Sequence, residues 1–287
     1  MRFLFVDRIT EITENEIRGL KFFGDTESLR YGPEVSGEIA PGVISEAIGQ
    51  LASWHAINRN EFTARPVFLF ADRIEILKPV FPSSQVELCA RIDSMDKETM
   101  VFSGEAYVDG NIVHRVSNIN GFFMPLAKLE DPHVTRTRFN QLITRGMNLT
   151  EDVGVFEFES LVDEVDELKT GTEIIARKYM AADEPFYMDH FPRYPVTPIV
   201  MINEMIGQAT QKMMGPREDN ILRPKVVKSI KIKDFVRPEE GCEIRVKLKG
   251  RRTEGDYEII ETMAEITKEG KRILRGSYEY SVGGASA

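Results

Sequence analysis

Apolar and polar residues alternate along eight segments of the chain, and this period of two is typical of half-buried β-strands. The segments are rich in Val, Ile and Phe, and turn residues separate them, as in Asp109-Gly110-Asn111. Four segments follow one another in each half of the chain, so the pattern predicts antiparallel pairing. The predicted strands span 67–79, 85–95, 99–109, 112–124, 225–236, 243–252, 256–267 and 272–281.

Apolar residues recur at helical spacing ahead of each run of strands. In the first half this stripe runs from Pro41 to Ile57. In the second half Pro192, Pro195 and Pro198 cannot all lie inside a helix, but Pro198 suits the first helical position, so we expect the helix to begin there. Each half is therefore predicted to wrap an antiparallel sheet around one long helix, which is an α+β fold.

The same short sequence occurs in both helices. Glu46–Gln50 reads EAIGQ, Glu204–Gln208 reads EMIGQ, and the two are 158 residues apart. Such self-similarity predicts a tandem duplication, with an N-terminal repeat over 1–126, a linker over 127–155 and a C-terminal repeat over 156–287. A glycine inside both helices predicts close approach of another backbone. We expect the two sheets to join edge to edge and the two helices to lie side by side.

The composition excludes several classes of protein. The chain has 287 residues, of which 42% are apolar and 29% charged, as in soluble globular proteins. A net charge of −9 disfavours nucleic acid as a partner, and no apolar run of about twenty residues is present to span a bilayer. Met1–Val6 is too short for a signal peptide. Cys89 and Cys242 lack metal-ligand spacing, so we expect reduced cysteines in a cytoplasmic protein without a metal.

The residues with the clearest chemical potential lie in the stretch 189–208, a proline-rich loop that continues into the second helix. It holds His190 in the loop, Glu204 fourteen residues later and Gln208 four residues further on. His-Phe-Pro followed by Pro-Val-x-Pro resembles the motif of the 3-hydroxyacyl-ACP dehydratases of bacterial fatty-acid synthesis, which have the hot-dog fold. The matching residues are His190, Phe191, Pro192, Pro195, Val196 and Pro198.

The resemblance implies a dehydratase site at a dimer interface, where the loop histidine of one subunit faces the helix carboxylate of the other. A tandem chain would form this pseudo-dimer within itself, as a double hot-dog. One implied site is complete, with His190 as the base toward carbon 2 and Glu46 as the proton donor to the departing hydroxyl. The other is degenerate, because Gly32 stands fourteen residues before Glu46, opposite Glu204, and transfers no proton.

The start of the first helix could also contribute to the site, because its free N–H groups and partial positive charge can hold an enolate oxygen. Gly42 permits close approach there, whereas the second half has Ile199 at the same position. We therefore expect the first helix to border the complete site. The expected substrate-binding residues are Gly42, Val43, Phe191, Pro192 and Gln50.

Two departures from the motif leave other functions open. Arg193 and Ile199 stand where the family usually has glycines, so a non-catalytic acyl-thioester-binding subunit of a lipid or polyketide assembly line is one alternative. A hot-dog thioesterase, which would use a carboxylate and water, is the other, although the His-Phe-Pro loop argues against it. Glutamate at position 46 resembles the dehydratases that do not isomerise the double bond.

The implied partner is a thioester of acyl carrier protein or coenzyme A, with no cofactor. Residues 225–252 hold ten Lys and Arg against four Asp and Glu. Five of the basic residues alternate with apolar residues, so we expect them on the solvent face of adjacent strands: Lys231, Lys233, Arg245, Lys247 and Lys249. This face is either a plain solvated surface or a docking site for an acidic carrier protein. The chain could also pair further as a homodimer.

Overall fold

The computed structural model describes residues 3–24, 37–147, 161–215, 222–255 and 257–282. In this part of the chain, each half contains two short strands, one long helix and four longer strands, in that order. The first half consists of β1 (Arg8–Ile12), β2 (Glu16–Phe22), α1 (Pro41–Arg59), β3 (Ala64–Ile76), β4 (Gln85–Met95), β5 (Thr99–Val108) and β6 (Asn111–Pro125).

Two short helices, α2 (Leu126–Leu129) and α3 (Pro132–Thr144), follow β6 and begin the connection to the second half. A 3₁₀ helix, Pro185–Met188, precedes the long helix of that half. None of the helices in the described ranges is long and apolar enough to cross a bilayer. The second half consists of β7 (Glu164–Lys169), β8 (Glu173–Tyr179), α4 (Ile199–Met214), β9 (Arg223–Ile232), β10 (Gly241–Glu254), β11 (Tyr257–Lys268) and β12 (Lys271–Val282).

The strands form one antiparallel sheet in the order β1-β2-β4-β5-β6-β3-β9-β12-β11-β10-β8-β7. Strands β3 and β9 join the halves, with Phe70 opposite Lys231 and Ile74 opposite Val227. This pairing satisfies backbone groups that would otherwise form an open sheet edge. The predicted edge-to-edge joining of the two sheets is confirmed.

The two long helices pack against this sheet and against each other. Pro41 occupies the start of α1, where its fixed φ suits a helix and its missing N–H is not needed. Helix α4 ends before Gly215, whose φ of +79° favours glycine. A Cβ added at Gly42 would lie 3.2 Å from the Cβ of Val200, so α1 and α4 approach closely near their starts. Position 42 therefore requires a small residue.

Gly49, in the middle of α1, does not have the predicted close backbone neighbour. The nearest atom to a Cβ added there is a ring carbon of Phe68, at an ordinary contact distance of 3.9 Å. The expectation of close backbone packing at Gly49 is wrong. Because Gly49 has no side chain, space remains beside Glu46. Gly49, Phe68 and Glu46 line the same pocket.

The basic residues of 225–252 do not form the expected surface of adjacent strands. Strand β9, which carries Lys231, and strand β10, which carries Arg245 and Lys247, are separated by β12 and β11. Glu173 forms ion pairs with Arg245 at 3.4 Å and with Lys247 at 3.1 Å. The prediction of a shared face on neighbouring strands is wrong, because the chain order of the strands differs from their order in the sheet.

Candidate active site

His190 lies in the loop between the 3₁₀ helix and α4. Its backbone N–H donates to the carbonyl of Phe186 at 2.9 Å, and its ring Nδ1 lies 3.0 Å from the carbonyl oxygen of Val196. A carbonyl oxygen can only accept, so Nδ1 carries the proton and Nε2 keeps a lone pair in the neutral ring. The loop therefore presents His190 in the tautomer of a base.

The surroundings of His190 favour its neutral form. The ring of Phe191 stacks on the imidazole at 4.3 Å, and Phe3 meets it edge-on at 5.5 Å. Burial lowers the pKa of His190 below its usual 6.5; the positive charge of Arg65 acts in the same direction, whereas the charge of Glu46 opposes the shift. The imidazole is therefore uncharged at neutral pH and can accept a proton.

Glu46 projects from α1, and Gln50, one turn later, holds its carboxylate. The side-chain amide of Gln50 donates to Oε1 of Glu46 at 3.0 Å and to the carbonyl of Phe3 at 3.2 Å. Its oxygen accepts from the backbone N–H of Phe5 at 2.8 Å. Gln50 is buried, so this network fixes Glu46 and ties the N-terminal segment to the site.

His190 and Glu46 line one pocket between the two halves of the chain. Glu46 comes from the helix of the first half, and His190 comes from the loop before the helix of the second half. Most of the wall is apolar, which strengthens electrostatic interactions inside it. The apolar lining includes Val67, Phe68, Phe191, Ile199, Ile202 and Phe235.

The structure places two of the five expected substrate-binding residues, Phe191 and Gln50, in this pocket. Pro192, next to Phe191, is exposed at the surface. Gly42 lines a different cavity, and Val43 packs in the hydrophobic core. The expectation that the start of α1 borders the His190 pocket is therefore wrong.

Each helix start lies beside the carboxylate of the other helix. Ile199, at the start of α4, lines the pocket that holds Glu46. Gly42 lies beside Glu204, with a Cβ added at Gly42 only 3.5 Å from Oε1 of Glu204. The first N–H groups of a helix have no intrahelical acceptor and carry a partial positive charge. The positive helix end that faces His190 is therefore that of α4.

The second carboxylate, Glu204, lies in a cavity with Gly42, Asn203 and Tyr278. Burial raises the pKa of Glu204 to about 8, so its carboxyl is protonated at neutral pH. Gly32, the residue expected to face it, lies outside the described residues. Within the described ranges, no group of three or more His, Cys, Asp or Glu side chains could hold a metal ion.

Arg65, near the start of β3, is a residue of the pocket that the sequence did not reveal. Its guanidinium lies 4.7 Å from the centroid of the Phe191 ring and forms an ion pair with Glu130. A lone arginine at the start of a strand carries no motif, so only the fold identifies it. The same holds for Phe3, whose position beside His190 depends on the N-terminal segment crossing the site.

Comparisons with known sequences identify the family of the chain. A family model described as "ApeI-like: ApeI dehydratase" matches residues 166–271. A 3-hydroxyacyl-[acyl-carrier-protein] dehydratase FabZ from Ruminiclostridium cellulolyticum is 40% identical over 91 residues, which cover 31% of this chain and 64% of the relative. The FabZ of Streptococcus agalactiae serotype V is 33% identical over 128 residues, covering 43% of this chain and 86% of the relative. The chain belongs to the hot-dog thioester dehydratase family.

Solved structures of low sequence identity share the fold over nearly the whole chain. A Lactobacillus plantarum protein described as an oleoyl thioesterase is 9% identical with a TM-score of 0.60, covering 95% of this chain and 98% of its own. The 12:0-ACP thioesterase of Umbellularia californica is 10% identical with a TM-score of 0.54, covering 93% and 94%. These likenesses concern the fold alone, which is a hot-dog fold with a large antiparallel sheet.

Proposed function

We propose that this chain is a double hot-dog dehydratase that eliminates water from 3-hydroxyacyl thioesters to give trans-2-enoyl thioesters. The repeats would span 1–126 and 156–287, with a linker over 127–155. One long helix in each half, α1 and α4, would be the central helix of its hot-dog. The shared order of elements and the joining of β3 to β9 support this division.

In the proposed reaction, Nε2 of His190 removes a proton from carbon 2 of the substrate. With substrate in the pocket, Glu46 enters the step in its protonated form. The bond between carbon 3 and its hydroxyl oxygen breaks as this carboxyl donates its proton to that oxygen, so water leaves and Glu46 becomes a carboxylate. Proton transfer from His190 back to Glu46 then restores both groups. Positioned acids and bases of this kind each contribute a rate factor on the order of 10² to 10⁴.

The thioester oxygen gains negative charge when carbon 2 loses its proton. The start of α4 supplies free backbone N–H groups next to His190, and such groups stabilise developing oxyanions. We assign this role to the N–H of Ile199, because the residue lines the His190 pocket. An isoleucine has the same backbone donor as the glycine that the related motif carries here.

One observation carries this proposal: a neutral histidine with a free Nε2 shares an apolar pocket with the carboxyl group of Glu46, which Gln50 holds in place. Thioester dehydration needs both a base and an acid on one substrate, and this pocket provides them from opposite halves of the chain. The relatives named 3-hydroxyacyl-[acyl-carrier-protein] dehydratase support a carrier-protein thioester as substrate. Coenzyme A thioesters present the same reacting atoms.

The direct test is the hydration of crotonyl thioesters of acyl carrier protein and of coenzyme A. Hydration is monitored as the loss of the ultraviolet absorbance of the enoyl thioester. The proposal predicts hydration without release of free thiol. Release of thiol would indicate a thioesterase instead. Binding of the thioester with neither reaction would indicate a non-catalytic acyl-binding protein.

A further inference from the structure

The pocket of His190 and Glu46 adjoins a second, mostly apolar cavity. The two cavities share five wall residues. The second cavity runs between the helices α1 and α4 and the joined strands β3 and β9. Its shared wall consists of Glu46, Gly49, Phe68, Ile199 and Ile232.

The apolar cavity in turn meets the cavity of Glu204. Ser45, Ile74 and Asn203 line both. The three cavities therefore adjoin in sequence from His190 to Glu204. The half-site around Glu204, which lacks a histidine partner in the sequence pattern, thus lies at the opposite end of this series from His190.

Polar groups gather where the apolar cavity ends. The hydroxyl of Tyr278 donates to Oδ1 of Asn203 at 2.9 Å, while Oγ of Ser45 lies 2.7 Å from Nε2 of His114. The amide N–H groups of Asn203 donate to no residue in the described ranges, so they remain available to a ligand. Glu204, protonated at neutral pH, offers a further O–H donor.

An unsubstituted alkyl chain would bury these polar groups without giving them a hydrogen-bond partner, which is unfavourable for each group. An oxygen atom on the chain would restore such a bond. The apolar cavity lies between His190 and these polar groups. A short acyl group held at His190 would end inside the apolar cavity, whereas a longer one would cross it to the polar end.

We infer that the three adjoining cavities join into one substrate chamber when an acyl chain is bound. The cavity around Glu204 is the distal part of this chamber and binds acyl chains with a hydroxyl or carbonyl oxygen near their far end. This inference rests on the proposed function for the position of the thioester. Asn203 and Glu204 would be the residues that select the substituent. The half-site around Glu204, which has no base, would then determine the substrate specificity of the site formed by His190 and Glu46.

The test is calorimetric binding of decanoyl-CoA and ω-hydroxydecanoyl-CoA to the full chain. Neither ligand carries a 3-hydroxyl group, so neither can be dehydrated and only binding is measured. The wild-type protein should bind the hydroxylated ligand about fivefold to tenfold more tightly, as expected for one buried hydrogen bond. A butyryl pair, with and without an ω-hydroxyl, should show no such preference.

Asn203→Leu and Glu204→Met should each reduce the preference for the ω-hydroxyl to less than about twofold. Lys212→Ala, an exposed change on the same helix, should keep it. Thermal unfolding identifies any variant that fails to fold. The affinities of the wild-type protein for the two decanoyl ligands test the inference even if both variants fail to fold. Equal wild-type affinity for both decanoyl ligands, or binding of neither, would overturn the inference. A preserved preference without turnover of 3-hydroxyacyl thioesters would overturn only the proposed function.

Discussion

The guanidinium of Arg193 donates a hydrogen bond to the carboxylate of Asp131 at 2.8 Å, joining the histidine loop to the segment that follows the first half. Arg193 also donates from its side chain to the carbonyls of Ala127 at 3.1 Å and Glu130 at 3.4 Å. Its backbone N–H donates to Leu129 at 2.9 Å. The glycine that the related motif carries here could make only the backbone bond. Arg193 is therefore an anchor for the histidine loop.

Replacing this anchor should affect both stability and turnover. We expect Arg193→Ala to lower the free energy of unfolding by about 1 to 2 kcal/mol, because charged hydrogen bonds to carbonyls are lost from a half-exposed side chain. We also expect kcat to fall several-fold at temperatures well below the Tm, because His190 is less well positioned. Arg145→Ala, at the end of α3, is the matched control. An unchanged kcat would limit Arg193 to a structural role.

The pH dependence should reflect the lowered pKa of His190. Because His190 must be neutral to act as a base, the acid limb of kcat/KM should have its midpoint below 6.5. The sign of each neighbour's effect can be tested by NMR titration of the imidazole. Glu46→Gln should lower the pKa of His190 further, because it removes a negative charge, and Arg65→Gln should raise it. Shifts in the reverse directions would contradict the described arrangement.

Glu204 should make stability decline as pH rises. Its carboxyl stays protonated in the fold up to about pH 8, whereas in the unfolded chain it ionises near its usual 4.5. Between these pH values Glu204 is ionised only in the unfolded state. Its contribution to the free energy of unfolding therefore falls by about 1.4 kcal/mol per pH unit. Glu204→Gln should therefore raise Tm more at pH 7.5 than at pH 5. An equal effect of this variant at both pH values would show that the carboxyl is ionised in the fold.

The two helix starts should respond differently to substitution. Gly42→Ile should lower stability by roughly 1 to 3 kcal/mol, because its side chain would enter the contact with Val200. Ile199→Gly should instead raise the KM for acyl thioesters, because it removes part of the wall of the His190 pocket. Denaturant titration and steady-state kinetics separate the two effects. A larger KM change for Gly42→Ile than for Ile199→Gly would show that the start of α1, and not that of α4, borders the acyl-binding pocket.

The sheet could be predicted from the sequence because alternation is a local property of each strand. The segments 85–95 and 272–281, for example, correspond to β4 and β12 within one residue at either end. The duplication also predicted the joining of the halves, since two similar sheets have matching open edges. The strand order could not be read in the same way, which is why the basic residues of β9 and β10 were wrongly expected on neighbouring strands.

The position of Gly42 could not be predicted, because it depends on how α1 and α4 cross. A glycine at this helix start indicates access for substrate, whereas in the structure its missing side chain makes room for Val200. The contribution of Phe3 to the His190 environment likewise depends on where the N-terminal segment runs. Motifs identify residues with chemical potential, whereas helix packing decides which of them meet.

The central claim is that His190 works with the carboxylate of the opposite half, Glu46, rather than with Glu204 of its own helix. The measurement that tests it is kcat for crotonyl-thioester hydration by His190→Ala, Glu46→Gln and Glu204→Gln. The first two should lose a factor on the order of 10² to 10⁴ while remaining folded, because each removes a proton-transfer group. Glu204→Gln should retain at least about a hundredfold more activity than Glu46→Gln. An inactive Glu204→Gln variant beside an active Glu46→Gln variant would contradict the account.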